Sequence, residues 1–230
     1  MKHILVCDDD KEIVGSIELF LKEEGYEIFK AYNGLEALDA MKKDDIQLVI
    51  LDIMMPEMNG IETAKKIRET SDVPIIFLSA RSEEKDKIEG LNAGGDDYVT
   101  KPFSSAELCA RVRSALRRYT MSAPSVSESK NTFSTGALVI NDDTKTVSVD
   151  GDTVKLTPIE YNILLFLVKN KGNVYSSNKI YEAIWNEKPL STDSTVAVHV
   201  RHIREKIEIN PGEPKYLKVV WGVGYKVEAI

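Results

Sequence analysis

Three aspartates in a row, Asp8, Asp9 and Asp10, follow the apolar run "ILVC". Another, Asp52, ends the run "LVIL" and precedes a Met-Met-Pro loop. Charged side chains are almost never fully buried without a partner, so each of these acids calls for a counter-charge. Ser79 closes the run "PIIFL", and Lys101 stands before Pro102 just past "YVT". Carboxylates gathered in one place repel and need a cation. A hard divalent ion supplies it, and Mg²⁺ takes a few carboxylates plus waters. Mg²⁺, a lysine point charge and a serine hydroxyl together neutralise a phosphoryl group. The remaining part is a nucleophile, and a carboxylate can become an aspartyl phosphate. Asp52, alone at its strand end, is best placed for that. Taken singly, the first three acids read equally well as a solvated loop and helix cap, and Asp52 as a helix N-terminal acid. Taken as a set at successive strand ends, they do not.

These residues meet only if the runs are neighbouring strands. His3–Val6, Glu27–Ala31, Leu48–Leu51, Pro74–Leu78 and Tyr98–Thr100 predict five strands. Three are nearly all apolar, as strands covered on both faces are. Between and after them apolar residues recur at helical spacing: Ile13, Ile17 and Phe20, then Leu35 and Leu38, then Ile61 and Ala64, then Leu108 and Val112. The pattern is (βα)5, an α/β, flavodoxin-like, doubly wound parallel sheet. Sites in such sheets lie beyond the carboxyl ends of the strands, at the switch point. In that order the first and third strands are neighbours, so Asp8, Asp9 and Asp52 converge.

The stretch "TMSAPSVSESKNT", residues 120–132, is serine-rich and lacks aromatics. It cannot bury a core and reads as a flexible linker. It parts a first domain, 1–119, from a second, 133–230. The second opens with short alternating segments, "LVIN" and "TVSVDGDTVKL", the latter turning at Asp150–Gly151. Three helices follow. Thr157 is a good N-cap, Pro158 fits the first helical position and Glu160 completes a capping box. The third helix starts near Thr192 or Asp193. Its Val196, Val200, Ile203 and Ile207 form one buried stripe. Ser194, Thr195, His199, Arg201, His202 and Arg204 are assigned to the other side. Arginine suits guanine edges and phosphates. Two strands around Trp221–Gly222–Val223–Gly224 end the chain, so the second half reads as a winged helix-turn-helix (α+β).

The net charge is −7 over 230 residues. Acidic and basic side chains balance within residues 131–230, so the excess lies in the first 130. That acidic half is no nucleic-acid surface; the neutral half is one only if its charges segregate onto a face. No apolar run approaches the ~18 residues that span a bilayer, so no membrane partner is expected. "MKHILVCDDD" is not a signal peptide. Cys7 and Cys109 sit in apolar patterns and read as buried free thiols in a reducing, cytoplasmic setting.

The pieces "ILVCDDD", "LVILDIMMPEMNG", "PIIFLSA" and "GGDDYVTKPF" resemble the receiver domain of bacterial response regulators. "TVAVHVRHIREKI" and "VVWGVGYKV" are similar to the OmpR/PhoB winged helix, so the resemblance runs end to end. "KGNVYSS" and "WGVGYKVE" look similar to the VanR-type branch, regulators of cell-wall resistance genes. The resemblance implies that Asp52 accepts phosphate from a sensor histidine kinase. Asp9, Asp52 and the backbone carbonyl of Met54 would bind Mg²⁺, with Asp8 assisting. Ser79 and Lys101 would contact the phosphate, Lys101–Pro102 would be cis, and Tyr98 would be the switch aromatic. Cys7 stands where valine is usual. Gly95 stands where alanine is usual and is expected to loosen the loop before Tyr98.

The same resemblance implies a homodimer on phosphorylation. Lys87 would pair with Glu107, Asp97 with Arg111 and Asp96 with Arg118 across a two-fold. Lys215, Lys218 and Lys226 would touch the phosphates of double-stranded DNA carrying direct repeats. Trp221 stands where an arginine often enters the minor groove; it reads either as a sugar contact or as a core residue. The loop "NEKPLS" lies where relatives touch RNA polymerase.

Two rivals fit less well. A phosphatase of the haloacid-dehalogenase type needs Asp-x-Asp followed closely by Thr or Val, where this chain has Lys11-Glu12, and it leaves the second half unexplained. A DNA-binding protein whose first domain only dimerises leaves Asp9, Asp52, Ser79 and Lys101 without a purpose. The expectation is a regulator, not an enzyme.

Overall fold

The computed structural model describes residues 2–43, 45–80, 84–121, 131–186 and 193–230. The chain divides into two compact units, Met1–Tyr119 and Thr120–Ile230.

The first unit runs β1 (Lys2–Cys7), α1 (Lys11–Glu23), β2 (Tyr26–Ala31), α2 (Gly34–Lys43), β3 (Leu48–Asp52), α3 (Gly60–Arg68), β4 (Ile75–Ser79), α4 (Glu84–Asn92), β5 (Asp97–Thr100) and α5 (Ser105–Met121). Its sheet has the order β2-β1-β3-β4-β5, with every pairing parallel. Successive strand residues point to opposite faces. Leu5, Val49, Leu51 and Phe77 accordingly pack with Ile61, Ala64 and Ile67 of α3. Ile4, Val6, Ile50 and Leu78 pack on the other face with Val14 and Ile17 of α1 and Leu108 and Val112 of α5. Covered on both faces, β3 and β4 are buried along their whole length. Asp10 is the N-cap of α1, accepting from Glu12 N–H at 2.8 Å. The third acid of the triplet is thus spent on the helix, as the local reading of that loop anticipated.

The second unit begins with a four-stranded antiparallel sheet, β6 (Thr132–Thr135), β7 (Leu138–Asn141), β8 (Thr146–Val149) and β9 (Asp152–Val154). Then come α6 (Pro158–Lys169), α7 (Ser177–Trp185), α8 (Asp193–Ile207) and the hairpin β10 (Leu217–Val220) and β11 (Gly224–Val227). The capping box at Thr157 and Glu160 is present, with Pro158 in the first turn. β6 was not predicted. It pairs with β7, Phe133 facing Ile140, and a tertiary pairing of this kind overrides a weak local signal. α5 reaches Met121 and β6 starts at Thr132, so both ends of the expected linker belong to regular elements. Its middle, 122–130, lies outside the described residues.

Candidate functional site

β1 and β3 are adjacent, with Cys7 opposite Leu51, so Asp8 and Asp52 come at matching positions at the same sheet edge. Asp8, Asp9 and Asp52 each offer a carboxylate oxygen within 4.8 Å of the others. Asp8 and Asp52 are buried and Asp9 is exposed. Lys101 Nζ lies 2.5 Å from Asp8 Oδ2 and 2.7 Å from Asp52 Oδ1. Burial pushes the Asp8 carboxyl above its usual range, against the pull of Lys101. Burial likewise opposes the Lys101 charge, yet its bonds to Asp52 and Asp8 raise the ammonium above its ordinary value. Three carboxylates face one ammonium, so the cluster is still short of positive charge. Oxygen-only donors, two of them shielded from water, fit a hard divalent cation.

The backbone sets the Asp52 carboxylate. Its Oδ2 accepts Met54 N–H at 2.7 Å, leaving Oδ1 to Lys101. Gly60 N–H donates to the Ile53 carbonyl at 3.0 Å, and a side chain on Gly60 would collide with the Asp52 carbonyl. The Pro56–Gly60 turn therefore closes directly onto the strand end, which only glycine permits. Ser79 is buried at the end of β4, level with Thr100, and its carbonyl accepts Lys101 N–H at 2.7 Å. The Lys101–Pro102 bond is cis. Tyr98 faces Phe77 across the β4–β5 pairing and is buried. Cys7 is an unoxidised, buried thiol whose pKa is raised by burial first and by Asp8 second.

Gly95 packs against β4. Its N–H donates to Gly90 O at 3.2 Å, and an added Cβ would sit 2.6 Å from the Phe77 ring. The missing methyl makes room for Phe77.

The charged residues assigned to a dimer face are mostly buried within the chain. Arg111 Nη1 lies 3.0 Å from Asp97 Oδ1 and 3.1 Å from Oδ2, and Arg111 Nη2 reaches Glu107 at 3.2 Å. Arg118 Nη1 donates to Ser114 Oγ at 2.6 Å. Asp96 Oδ2 accepts from Arg68 Nη2 at 2.7 Å and from Ile75 N–H at 2.9 Å. Arg68 escaped the sequence reading. It also holds the carbonyls of Gly94 and Val73, at 3.0 and 2.6 Å, and so ties the α3 end to the β4 and β5 entries. A basic residue in the last turn of a helix was its one visible signal. The side chain of Lys87 lies outside the described residues.

On α8 the stripe Val196, Val200, Ile203 and Ile207 is buried as predicted. Three residues assigned to the opposite side are not free to read DNA. His199 is only 2% exposed, its ring centroid 5.9 Å from that of Trp185. It stands three residues after Val196 and four before Ile203, which is the stripe itself. His202 turns to Glu160, with Nδ1 3.8 Å from Oε1, and burial pushes its imidazole below the ordinary value. Arg204 Nε donates to the Leu217 carbonyl at 2.7 Å. Arg201 is exposed, 2.9 Å from Glu205, and Ser194 and Thr195 are half-exposed. In the hairpin Lys218 faces Lys226, and both approach Glu228, at 3.6 and 3.0 Å. Trp221 is 88% exposed, which overturns the core reading. Glu208 was missed: its carboxylate accepts the amides of Lys215, Tyr216 and Leu217. The loop "NEKPLS" falls almost wholly outside the described residues.

A doubly wound sheet with an acidic pocket at its carboxyl edge, followed by a helix-and-hairpin unit, defines a receiver joined to a transcriptional output domain. Residues 4–113 match the family described as response regulator receiver domain. Residues 151–227 match the family described as transcriptional regulatory protein, C terminal. The chain belongs to the OmpR/PhoB-type response regulators of bacterial two-component systems, and it regulates transcription. It is 45% identical over 226 residues to the regulatory protein VanR of Enterococcus faecium, covering 98% of each chain. It is 40% identical over 233 residues to the alkaline phosphatase synthesis transcriptional regulatory protein PhoP of Bacillus subtilis, covering 99% of this chain and 97% of that one. The structure of response regulator DrrB, a Thermotoga maritima OmpR/PhoB homolog, is 34% identical and covers 99% of both chains with a TM-score of 0.52. No helix among the described residues is long and apolar enough to cross a membrane.

Proposed function

We propose that Asp52 is the phosphoacceptor of a switch that controls DNA binding. The observation that carries this is the buried Asp52 carboxylate, 2.7 Å from Lys101 and within 4.8 Å of Asp8 and Asp9. An Asp52 carboxylate oxygen attacks the phosphorus of a kinase phosphohistidine. The P–O bond forms as the P–N bond breaks, and the imidazole leaves. Lys101 and Ser79 hold the phosphoryl oxygens. Asp9, Asp52 and the Met54 carbonyl would hold Mg²⁺, with Asp8 assisting, and its charge would offset the crowded oxygens. Apart from slow release of that phosphate to water, the chain turns over no substrate. Tyr98 responds to the new position of Ser79.

The phosphorylated chain forms a homodimer through α4, β5 and α5. The Asp97–Arg111 contact is internal and buried in the single chain, so a dimer that re-pairs these residues must replace each buried contact with an equivalent one across the two-fold. Residues 120–132 link domains 1–119 and 133–230. Ser194, Thr195, Arg201, Lys218 and Trp221 contact DNA bearing direct repeats, and the segment between α7 and α8 meets RNA polymerase. All of this takes place in the cytoplasm. Acetyl phosphate or beryllofluoride with Mg²⁺ should convert the full chain to dimer by light scattering, and Asp52→Asn should not respond. Equal dimerisation of the Asn variant would sink the phosphoswitch.

A further inference from the structure

Two side chains from the end of α8 grip the C-terminal hairpin. Glu208, just past the helix, is buried, and its carboxylate accepts Lys215, Tyr216 and Leu217 N–H at 2.7, 2.9 and 2.8 Å. Arg204, in the last turn, donates to the Leu217 carbonyl at 2.7 Å. Both main-chain groups of the first β10 residue are thus bonded to side chains at the C-terminal end of α8. A carboxylate accepting several amides is a strong, charge-assisted clamp. From another side, Tyr225 and Tyr175 exchange two main-chain bonds of 2.9 Å. A side chain on Gly224 would collide with the Tyr175 carbonyl, so the hairpin lies tight against that segment. Val223 N–H closes the tip on Val220 O at 2.9 Å.

What this stiff tip presents is apolar. Trp221 is 88% exposed and Val223 56%. Rigidly held, exposed aromatics are the side chains that anchor interfaces, because little entropy is lost when they bind. Around the tip, Lys218 and Lys226 share one carboxylate, Glu228, so the hairpin is net positive, while Lys215 before it is balanced by exposed Glu213. On α8, exposed Arg201 is offset by Glu205 at 2.9 Å. A surface with modest cationic excess and one dominant indole matches a polyanion that also offers apolar walls. Duplex DNA is such a ligand, with deoxyribose C–H groups lining its minor groove.

We propose that Glu208 and Arg204 are positioning residues that lock the hairpin to α8, so that Trp221 meets duplex DNA as a non-ionic contact against the sugars. This rests on the DNA-binding reading above and deepens it.

The test uses the full chain and duplexes enriched from a random pool by the unaltered protein. Trp221→Ala should bind the enriched duplex about tenfold more weakly, with an unchanged slope of log affinity against log salt. Trp221→Arg should steepen that slope by about 0.9, one released counterion. The chain has two tryptophans, buried Trp185 and exposed Trp221. Iodide should therefore quench the free chain and lose most of its effect once DNA is bound. Glu208→Gln should weaken binding about fivefold, yet change little further in the Trp221→Ala background. Arg204→Lys repeats that cycle if Glu208→Gln fails to fold by circular dichroism. Equal losses in both backgrounds overturn the positioning role. Unchanged affinity of Trp221→Ala, or unchanged iodide quenching with DNA, overturns the Trp221 contact and leaves the DNA-binding reading standing. Enrichment of no duplex overturns that reading and the proposal with it.

Discussion

Lys101 Nζ and Asp52 Oδ1 are 2.7 Å apart, with Asp8 Oδ2 on the same ammonium at 2.5 Å. One lysine thus neutralises two buried acids drawn from different strands. Removing it leaves those carboxylates facing each other and Asp9. Lys101→Met should destabilise the first unit by about 2–3 kcal/mol, somewhat under the ~3–5 kcal/mol of a fully buried broken pair. Mg²⁺ should restore part of the loss, because it supplies the same counter-charge. Thermal unfolding with and without Mg²⁺ checks this; an equal deficit in both would refute it.

His199 and Arg201 stand two residues apart on α8 and should fail in opposite ways. His199→Ala empties a core position against Trp185 and should cost about 2–3 kcal/mol of stability. Arg201→Ala should leave stability within about 0.5 kcal/mol. It should weaken binding to the enriched duplex about tenfold. Urea unfolding and DNA titration of the two variants separate the roles.

Phe77 and Gly95 are a matched pair. The Phe77 ring fills the space into which an alanine Cβ would project, 2.6 Å from the ring carbons. Gly95→Ala should destabilise the first unit by about 1–3 kcal/mol, as overpacking does. The cost should shrink in a Phe77→Leu background. Additive losses in the double variant would show that the two positions do not share this space.

His202 gives the second unit a pH dependence of known sign. Burial lowers its pKa, although Glu160 pulls the other way. The unfolded chain, with an imidazole pKa of about 6.5, therefore binds more protons than the folded one as the pH falls. The stability is complete above about pH 7 and declines on acidification from about 6.5 down to the folded value. His202→Gln should flatten that decline in urea titrations followed by Trp185 emission. A decline of the same steepness would assign the slope to another group.

The pocket was legible in the sequence because its geometry is topological. Strand runs read from apolar pattern, and the alternation with helices implies their order. The acids and Lys101 sit at strand ends, so knowing the order is enough to bring them together, with Ser79 at the end of the next strand. The capping box at Thr157 was legible because its partners lie three residues apart. The α8 stripe was legible from its period, but His199 was not. An imidazole tolerates burial or exposure, and only the neighbour it packs on, Trp185 of α7, decided between them. Arg68 with Asp96 and Glu208 with the Leu217 amide likewise depend on how loops close in space. The Gly-containing turn placed Trp221 between two strands, but only the folded hairpin showed its ring to be exposed rather than packed into the core. Sequence by itself determined the alternation of elements, the strand-end positions of the acids and the helix caps, because each follows from short-range period and stereochemistry. The tertiary structure alone decided which polar side chains became struts and which stayed in water, because those bonds join residues that chain-local rules cannot pair.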